Sequence, residues 1–304
     1  MCGIVGYIGN KKASPILLNG LLNLEYRGYD SAGIATIENN KIHITKDKGR
    51  VENLKYLVSH ETLNSNIGIA HTRWATHGKP SMENSHPHMD NSNTFAVIHN
   101  GIIENYASLK LFLETTGYTF ISQTDTEIIP NLIHYFYIQN NDLLKSVYLA
   151  CKKFEGSYAI CVINKLEPNK IIVAKKDSPL VIGKGNNENY ICSDIPAILE
   201  YTKDFYFLND FEFAEVFDNQ ITFYDNNLNK IKKTSQKLDL DSTSAQKNGY
   251  EDFMLKEINE QPTSIRQTLH NMDFDFNLIK NFSKLYIVAC GTAMHAGLVR
   301  KKIN

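Results

Sequence analysis

No run of this sequence approaches the roughly 20 apolar residues that a membrane-spanning helix needs. Excess charge is also lacking: the formal net charge of −1 argues against a global attraction to nucleic acid or to an anionic membrane. The five cysteines form no CxxC pair, which favours reduced thiols in a cytosolic compartment. The amino terminus lacks the basic start and cleavage site of a secretory signal. We therefore expect a cytoplasmic protein that binds neither nucleic acid nor membrane.

What the chain does have is an ordinary folded composition and a regular alternation of short elements. Its 304 residues, of which 42% are hydrophobic and 21% charged, suit about two domains. Apolar segments typical of strands recur along the chain: "AGIATI", "KIHITK", "IGIAHT", "TFAVIHN", "SYAICVI", "KIIVAKK" and "FAEVFDNQITFY". Segments with helical spacing lie between groups of them. This order favours stacked sheets between layers of helices over a regular parallel βαβ sheet.

Three helices are predicted in the first 120 residues. "SPILLNGLLNLEY" would begin with Ser14 as N-cap and Pro15 at the first helical position. "VENLKYLVSH" and "YASLKLFLETTGY" follow the same periodicity, and the second would stop near Gly117. These helices supply the outer layers of the predicted sandwich.

The composition changes near residue 229. The polar, lysine-rich segment "NKIKKTSQKLDLDSTSAQKNGYED" predicts a linker. "FMLKEINEQPTSIRQTL" then predicts a helix that is interrupted at Pro262. "KLYIVACGTAMHAGLVRKKIN" predicts a buried strand, a glycine turn and a short helix, the usual start of a phosphate-binding α/β domain. About twenty residues are too few for a domain with its own core.

Cys2 is the first candidate for chemistry. If Met1 is removed, Cys2 carries a thiol and a free α-amine, whose ordinary pKa is about 7.7–8.0. That amine can accept the thiol proton, so nucleophile and base would occupy one residue. The alternative is a small buried thiol without function.

The segment "GIAHTRWATHGKPSMENSHPH" contains the only tryptophan, Trp74, next to Arg73. The planar guanidinium of Arg73 suits a carboxylate, although a surface arginine is the alternative. Four histidines, at 71, 77, 86 and 88, raise the question of a metal site. Their spacing fits no common zinc pattern and no HExxH motif is present, so we expect no metal.

"FAVIHNGIIEN" contains an Asn-Gly pair between apolar residues, which is the strongest local signal for a type I′ hairpin turn. A turn is therefore the favoured interpretation of Asn100 and Gly101. The same pair also suits an oxyanion hole, because the Asn100 side-chain amide and the Gly101 backbone N–H can converge on one oxygen.

In "SQTDTEIIPNLI", Thr124 and Glu127 have the spacing of a capping box, which would place Asp125 in a first helical turn. In a functional interpretation, Asp125 would hold a substrate ammonium at that helix end. Pro130, six residues past the predicted cap, then predicts a kinked or shortened helix.

Taken together, "MCGIVGYIG", "LEYRGYDSAGIA", "AHTRWATHG", "HNGIIEN", "SQTDTE" and "SPLVIGKG…SDIPAIL" resemble the glutaminase half of the glucosamine-6-phosphate synthase family (glutamine–fructose-6-phosphate aminotransferase, isomerizing). The resemblance covers about residues 1–240, resumes in "FMLKEINEQP" and includes "VACGTAMHAG", where the family's isomerase domain begins. It implies an α+β fold: an N-terminal-nucleophile αββα four-layer sandwich, followed by a linker and a truncated start of an α/β sugar-isomerase domain. The implied bounds are 2–240, 241–283 and 284–304.

The resemblance also implies a role for each matching residue. Cys2 would attack the side-chain amide of L-glutamine to form a γ-glutamyl thioester, with Asn100 and Gly101 as the oxyanion hole. Arg73 would bind the substrate α-carboxylate and Asp125 its α-ammonium. The remaining matches are Thr76 and His77 on the loop that closes over glutamine, Trp74 as the residue that gates ammonia transfer, and Gly291 and Thr292 in a partial sugar-phosphate loop. No cofactor is implied, and the full-length form would be a homodimer.

Two positions depart from the family: Ala293 replaces the usual serine after "CGT", and Pro130 lies in an expected helix. Most of the family's isomerase domain would lie beyond residue 304, so fructose 6-phosphate is expected as a substrate only if a complete domain is supplied. We expect a truncated or excised synthase that retains glutamine hydrolysis. Two alternatives stay open: the amidotransferase half of another enzyme, such as amidophosphoribosyltransferase, and an inactive folded assembly module.

Overall fold

The computed structural model describes residues 2–60, 64–75, 78–239, 249–272, 275, 277, 284, 286–289 and 291–303, with the side chains of residues 253, 292 and 300–303 left out. The chain divides into two compact units, residues 1–249 and 250–304. No helix within these described ranges is long and apolar enough to span a bilayer.

The described strands follow one another along the chain with these bounds: β1 (Gly3–Ile8), β2 (Ser31–Glu38), β3 (Lys41–Lys48), β4 (Ile67–Arg73), β5 (His88–Met89), β6 (Phe95–Ile103), β7 (Gly156–Asn164), β8 (Ile171–Lys176), β9 (Val181–Lys184), β10 (Asn189–Cys192), β11 (Asp204–Phe207), β12 (Phe213–Val216), β13 (Ile221–Tyr224), β14 (Lys230–Ile231) and β15 (Gln236–Lys237). The described α-helices are α1 (Ala13–Asn23), α2 (Val51–Ser59), α3 (Tyr106–Thr115), α4 (Ile128–Asn140), α5 (Leu143–Cys151), α6 (Phe253–His270) and α7 (Gly291–Ile303). Short 3-10 turns lie at Glu25–Arg27 and Ile195–Ala197. The strand segments predicted from the sequence in unit 1 are confirmed, with "FAEVFDNQITFY" divided into β12 and β13 by a turn at 217–220.

Two antiparallel sheets form the centre of unit 1. One has eight strands in the order β15-β11-β9-β10-β1-β4-β2-β3, and the other has seven in the order β14-β13-β12-β8-β7-β6-β5. Three separate apolar cores show how the layers stack. The first includes residues of α1, α2 and the eight-stranded sheet, the second includes residues of both sheets, and the third includes residues of the seven-stranded sheet and α3 to α5. The predicted αββα four-layer order is confirmed.

Strand β1 shows why the sequence folds into these layers. Ile4 and Ile8 belong to the core between the sheets, whereas Val5 and Tyr7 belong to the core under α1 and α2. Successive side chains of a strand point to opposite faces, so an unbroken apolar strand must be covered on both sides. All four side chains are at most 3% exposed. The apolar start of the chain therefore becomes a central strand, with β4 and β10 as neighbours.

Two helix starts differ from the predictions. Helix α1 begins at Ala13 with Lys12 as its N-cap residue, so Ser14 lies inside the first turn and is not the cap. The backbone N–H of Ala13 instead donates to Ser65 O at 2.8 Å. A tertiary contact thus replaces the local cap, and such a contact leaves no signal in the segment's own sequence.

The helix at Pro130 is shortened at its start, which is one of the two predicted outcomes. Helix α4 begins at Ile128, later than the capping-box pattern indicates, so Pro130 is the third helical residue. The first four N–H groups of a helix have no intrahelical partner, and a proline there removes no hydrogen bond. In α6, by contrast, Pro262 does lie in the interior, yet the helix continues through it and the predicted interruption is wrong. One missing donor weakens this helix without ending it.

Two predictions near the end of the chain are wrong as well. Within the predicted linker, residues 230–231 and 236–237 form the short strands β14 and β15, each at an edge of one sheet; residues 240–248 lie outside the description. Short, charged strands are typical of sheet edges. The predicted buried strand at 284–290 is absent from its described residues, and Val288 is 98% exposed. No described residue pairs with this segment, and a strand needs such a partner for its backbone groups.

Candidate active site

Cys2 directly precedes β1, at the end of the strand where β4 also ends. Because Gly3 pairs with Thr72, the next residues outward, Cys2 and Arg73, come to the same edge of the sheet. The backbone N–H of Trp74 donates to Sγ of Cys2 at 3.2 Å, and the thiol lies 3.6 Å from Trp74 O. Antiparallel pairing therefore joins the "MCG" and "TRWA" segments at one site.

Asn100 and Gly101 lie inside β6, so the predicted hairpin turn is wrong. They pair with Ala159 and Tyr158 within a ladder that runs from Phe95 opposite Asn164 to Ile103 opposite Gly156. Gly101 has a φ of +130°, and a Cβ there would lie 2.1 Å from Ser157 O. Only glycine fits that backbone without strain. The Asn-Gly signal is local, and the long ladder to β7 overrides it.

Asn100 joins β6 to Cys2 through a hydrogen bond. Its Nδ2 donates to Cys2 O at 3.0 Å, and its Oδ1 lies 2.9 Å from Nε2 of His71. The same Cys2 carbonyl accepts from Nε of Arg27 at 3.2 Å. Arg27 is in turn ion-paired with Asp194 at 2.6 Å. The backbone of Cys2 is therefore fixed by donors from two different segments.

Local sequence patterns gave no catalytic or binding role to three further residues near Cys2: Arg27, Asp194 and His71. All three lie inside the motifs that carry the family resemblance, namely "LEYRGYD", "SDIPAIL" and "AHTRWATHG". Tyr26 also reaches this group, because its hydroxyl donates to Asp194 Oδ2 at 2.7 Å. The only sequence signal for the ion pair was that Arg27 and Asp194 carry opposite charges. They are 167 residues apart, so local patterns do not reveal that they pair.

Asp125 lies in the cleft but not in a helical turn. It precedes α4 by three residues, and its Oδ2 accepts the backbone N–H of Ile103 at 2.8 Å. The predicted capping box is wrong: the Glu127 carboxylate accepts from the N–H groups of Ile121 and Ser122 upstream of the helix. The Thr124 hydroxyl instead lies 3.1 Å from Nε2 of His88. Residues 124–127 form bends and a turn, and the helix begins only after Glu127.

One cleft brings together five of the ten predicted site residues: Cys2, Arg73, Trp74, Gly101 and Asp125. Its lining consists of Cys2, Arg73, Trp74, His86, His99, Gly101, Thr124, Asp125 and Thr126. Arg73 also donates from one terminal nitrogen to Gly78 O at 3.2 Å. A thiol, a guanidinium and a carboxylate therefore share a single cleft. This combination suits a small zwitterionic substrate with a reactive carbonyl.

Burial dominates the electrostatics of the site. It raises the pKa of the Cys2 thiol, an effect that the Trp74 N–H and the charges of Arg73 and Arg27 oppose. Burial also lowers the pKa of His71 to about 3 and the pKa values of His86 and His99 below their ordinary range. The thiol is therefore protonated at neutral pH and the buried imidazoles are uncharged. Activation of the sulfur requires a separate base.

Some predicted residues fall outside this geometry. Thr76 and His77 lie outside the described residues. Gly291 begins α7 in unit 2 with a φ of +59°, and the side chain of Thr292 is not described. Among the described residues, no group of three or more His, Cys, Asp or Glu side chains is arranged to hold a metal ion.

Comparison with known proteins places this site in a family context. Residues 71–200 match the family model of the glutamine amidotransferase domain. The chain is 49% identical over 315 aligned residues to the glutamine–fructose-6-phosphate aminotransferase (isomerizing) of Clostridium acetobutylicum, covering 100% of this chain and 52% of that protein. The enzyme of the same name from Aquifex aeolicus is 47% identical, covering 99% and 51%. The chain thus spans about half the length of the curated relatives it matches.

Solved structures agree on the architecture. The glutamine phosphoribosylpyrophosphate amidotransferase of B. subtilis, complexed with ADP and GMP, superposes with a TM-score of 0.65 at 25% identity, covering 75% of this chain and 50% of that one. A glutamine aminotransferase class-II domain protein from Silicibacter pomeroyi gives a TM-score of 0.51 at 14% identity, covering 74% and 99%. The second likeness concerns the fold alone. Both support the N-terminal-nucleophile sandwich.

Proposed function

We propose that Cys2 hydrolyses the side-chain amide of L-glutamine. The premise is that the chain carries a glutamine amidotransferase domain and aligns, over its whole length, with about half the length of the glutamine–fructose-6-phosphate aminotransferases that it matches. The observation that carries the proposal is the single cleft shared by Cys2, Arg73 and Asp125. Arg73 binds the α-carboxylate of glutamine and Asp125 its α-ammonium. The carboxamide then lies at the sulfur.

The proton balance follows from the buried thiol. Removal of Met1 gives Cys2 a free α-amine, which takes the thiol proton because burial keeps the sulfur protonated on its own. The thiolate attacks the carboxamide carbon, and the carbonyl oxygen becomes an oxyanion. The protonated α-amine of Cys2 then gives that proton to the leaving nitrogen, so ammonia departs and a γ-glutamyl thioester remains. Water then attacks the thioester with the amine as base, which releases glutamate and restores the thiol.

Asn100 and Gly101 provide the oxyanion hole in this scheme. The Asn100 amide already reaches Cys2, since its Nδ2 lies 3.0 Å from Cys2 O. Hydrogen-bond donors fixed before the reaction stabilise developing charge without reorganising. Trp74, Thr76 and His77 complete the proposed glutamine site: Trp74 lines the cleft with 45% of its surface exposed, and the other two lie outside the described residues.

The second half-reaction, in which the ammonia is used, is proposed to need an isomerase domain. We infer that the ammonia aminates fructose 6-phosphate in amino-sugar biosynthesis when a complete isomerase domain is present. Gly291 and Thr292, at the amino end of α7, are proposed as part of its sugar-phosphate loop, because helix N-termini favour phosphate. No cofactor is required by this scheme. We further propose a cytoplasmic location and a homodimer for the full-length form; the described cysteines are free thiols.

A direct assay tests the proposal. The purified chain is incubated with glutamine and glutamate release is measured, and fructose 6-phosphate is then added and glucosamine 6-phosphate is measured. We expect glutamate without the amino sugar. Intact mass must show loss of Met1, because a retained methionine leaves Cys2 without its base. Absence of glutamate release from processed, folded protein contradicts the proposal and supports an inactive assembly module.

Amidophosphoribosyltransferase is the weaker alternative. Its B. subtilis representative is 25% identical to this chain, against 49% for the aminotransferase of Clostridium acetobutylicum. Adding phosphoribosylpyrophosphate to the same assay is therefore expected to leave glutamine hydrolysis unchanged.

A further inference from the structure

His71 is a fully buried histidine of β4 that does not line the cleft. Side chains alternate along β4, so His71 lies on the same face as Ile67 and Ile69, which belong to the core between the sheets. That face turns towards β6, and His71 is 0% exposed. A buried imidazole that is kept neutral has one nitrogen that donates and one that accepts. Its two partners decide which is which.

The partners of Nε2 fix the tautomer of His71. Nε2 lies 3.1 Å from His99 O and 2.9 Å from Asn100 Oδ1. The first partner is a backbone carbonyl, which only accepts hydrogen bonds. The proton therefore resides on Nε2, and Nδ1 is left as the unprotonated nitrogen. In agreement, Nδ1 has no hydrogen-bond partner among the described residues.

The tautomer in turn fixes the orientation of the Asn100 amide. A donating Nε2–H must face the amide oxygen, because facing the Nδ2 group would set two donors against each other. Nδ2 is thereby directed to Cys2 O, 3.0 Å away. One Nδ2 hydrogen is used in that bond. The second has no acceptor among the described residues, so it remains for an oxygen that is not yet present.

We propose that His71 is a positioning residue for amide hydrolysis: its Nε2–H holds Asn100 Oδ1 and so keeps one Nδ2–H of Asn100 available to the oxyanion formed at Cys2. The inference rests on the proposed glutaminase function. It assigns to His71 an indirect role, because His71 does not itself line the cleft that contains the Cys2 sulfur. The His99 carbonyl fixes the tautomer of His71, and that tautomer fixes the orientation of the Asn100 amide.

Three variants test the proposal. His71→Leu removes the donor, whereas His71→Gln keeps an N–H donor at about the distance of Nε2. His134→Leu is the control, because His134 also bonds through one imidazole nitrogen, to the Tyr118 hydroxyl at 2.8 Å, but belongs to α4 away from Cys2. Melting temperature confirms that each variant is folded.

Three measurements separate positioning from general damage. They are kcat and KM for glutamate release, the inhibition constant of glutamate γ-semialdehyde, and the rate of Cys2 alkylation by iodoacetamide. The aldehyde forms a tetrahedral adduct whose oxygen occupies the oxyanion hole, whereas alkylation forms no oxyanion. For His71→Leu we expect kcat to fall at least about tenfold and aldehyde inhibition to weaken by a similar factor, with the alkylation rate unchanged. His71→Gln should restore most of both losses, and His134→Leu should alter neither.

Several results overturn the proposal. They are an unchanged kcat in folded His71→Leu, a His71→Gln variant no better than His71→Leu, or a parallel loss of alkylation. If His71→Leu does not fold, ¹⁵N NMR of the wild-type protein decides instead: a proton on Nδ1 of His71 refutes the geometry, and a proton on Nε2 agrees with it. A wild-type protein that releases no glutamate contradicts the proposed function. The aldehyde and NMR measurements then still test His71 separately.

Discussion

The backbone N–H of Trp74 donates to the sulfur of Cys2 over 3.2 Å, although the two residues are 72 positions apart. The contact exists because β1 and β4 are antiparallel neighbours that end at the same edge. It supplies one donor to the sulfur, and a donor favours the thiolate once the proton is removed. Burial opposes that effect and is the larger influence on the thiol pKa. In the proposed mechanism, the α-amine of Cys2 is therefore the proton acceptor.

Replacing the nucleophile should separate activity from folding. Cys2→Ala is expected to abolish glutamate release with little change in melting temperature, because Cys2 lies before β1 and outside the three apolar cores. Cys151→Ala is the matched control: it lies in the core under the seven-stranded sheet, so it should lower the melting temperature and keep turnover. Turnover that persists in Cys2→Ala would remove the sulfur from the mechanism.

The amide of Asn100 should matter in the transition state. Asn100→Ala is expected to lower kcat by about 10²–10³-fold, the usual loss when one oxyanion donor is removed. KM should change less, because the uncharged carboxamide of bound glutamine gains less from that donor. Steady-state glutamate release gives both values. A loss in kcat below about tenfold contradicts a role in stabilising the oxyanion.

Gly101 should be required by its backbone as well as by its proposed chemistry. Gly101→Ala places a Cβ 2.1 Å from Ser157 O at a φ of +130°. Gly117→Ala has a φ of +96° but nothing within 4 Å, so it carries the conformational cost alone, about 1–2 kcal/mol. Denaturant unfolding should show a clearly larger loss for Gly101→Ala. Equal losses would mean that the strand adjusts without cost.

Replacing Arg73 should show whether the site needs a planar cation or only a positive charge. Arg73→Lys is expected to raise the KM for glutamine at least about tenfold, or about 1.4 kcal/mol, because an ammonium does not reproduce a two-nitrogen grip on a carboxylate. Arg50→Lys is the control, since Arg50 pairs with Glu25 and does not line the cleft. If KM is equal in the two variants, the carboxylate binds elsewhere.

Two prolines should respond in opposite directions. Pro130→Ala regains no hydrogen bond, because Pro130 lies in the first turn of α4, and it loses a stiff, buried ring, so the free energy of unfolding should fall by about 1–2 kcal/mol. A stabilising Pro130→Ala would mean that the proline disrupts α4.

Pro262→Ala restores a donor inside α6 and should increase helical circular dichroism.

The buried histidines predict a loss of stability in mild acid. Burial lowers the pKa of His71 to about 3 from an ordinary value of 6.5, so between these values the unfolded chain binds the extra proton. The free energy of unfolding is therefore not reduced by these histidines above about pH 6.5, and it declines as the pH falls below that value. Melting temperature should fall from pH 7 to pH 5. His88→Gln removes one such group, whose pKa is also lowered by burial, and should flatten the slope; an unchanged slope contradicts the assignment.

Several features could be predicted from local patterns because the physics is local. The nearly continuous apolar run of a segment such as "AGIATI" requires a strand that is covered on both faces, and that strand appears as β2. The predicted helix near 51–60 appears as Val51–Ser59, because its periodic leucine and valine side chains need one buried face. The position of Cys2 made it a candidate nucleophile, and that role stays a prediction.

Other features depend on contacts between distant segments. Asn-Gly predicts a turn by itself, but pairing of β6 with β7 along nine residues keeps Asn100 and Gly101 extended. Thr124 and Glu127 have capping-box spacing, but their side chains bond to His88 and to the backbone of 121–122. Neither partner is visible within the segment concerned. Local propensities are weak compared with a complete ladder or a buried hydrogen bond.

The sequence by itself determined which chemical groups this protein has: an early thiol, a guanidinium beside the only tryptophan, a carboxylate and an amide. The order and alternation of its apolar segments also determined the layered architecture, because each face must be covered. Only the tertiary structure decided that Arg27, His71 and Asp194 support Cys2 and Asn100. The physical reason is that the orientation of a side-chain amide or imidazole depends on its partners. Those partners arrive only when strands from distant parts of the chain pair.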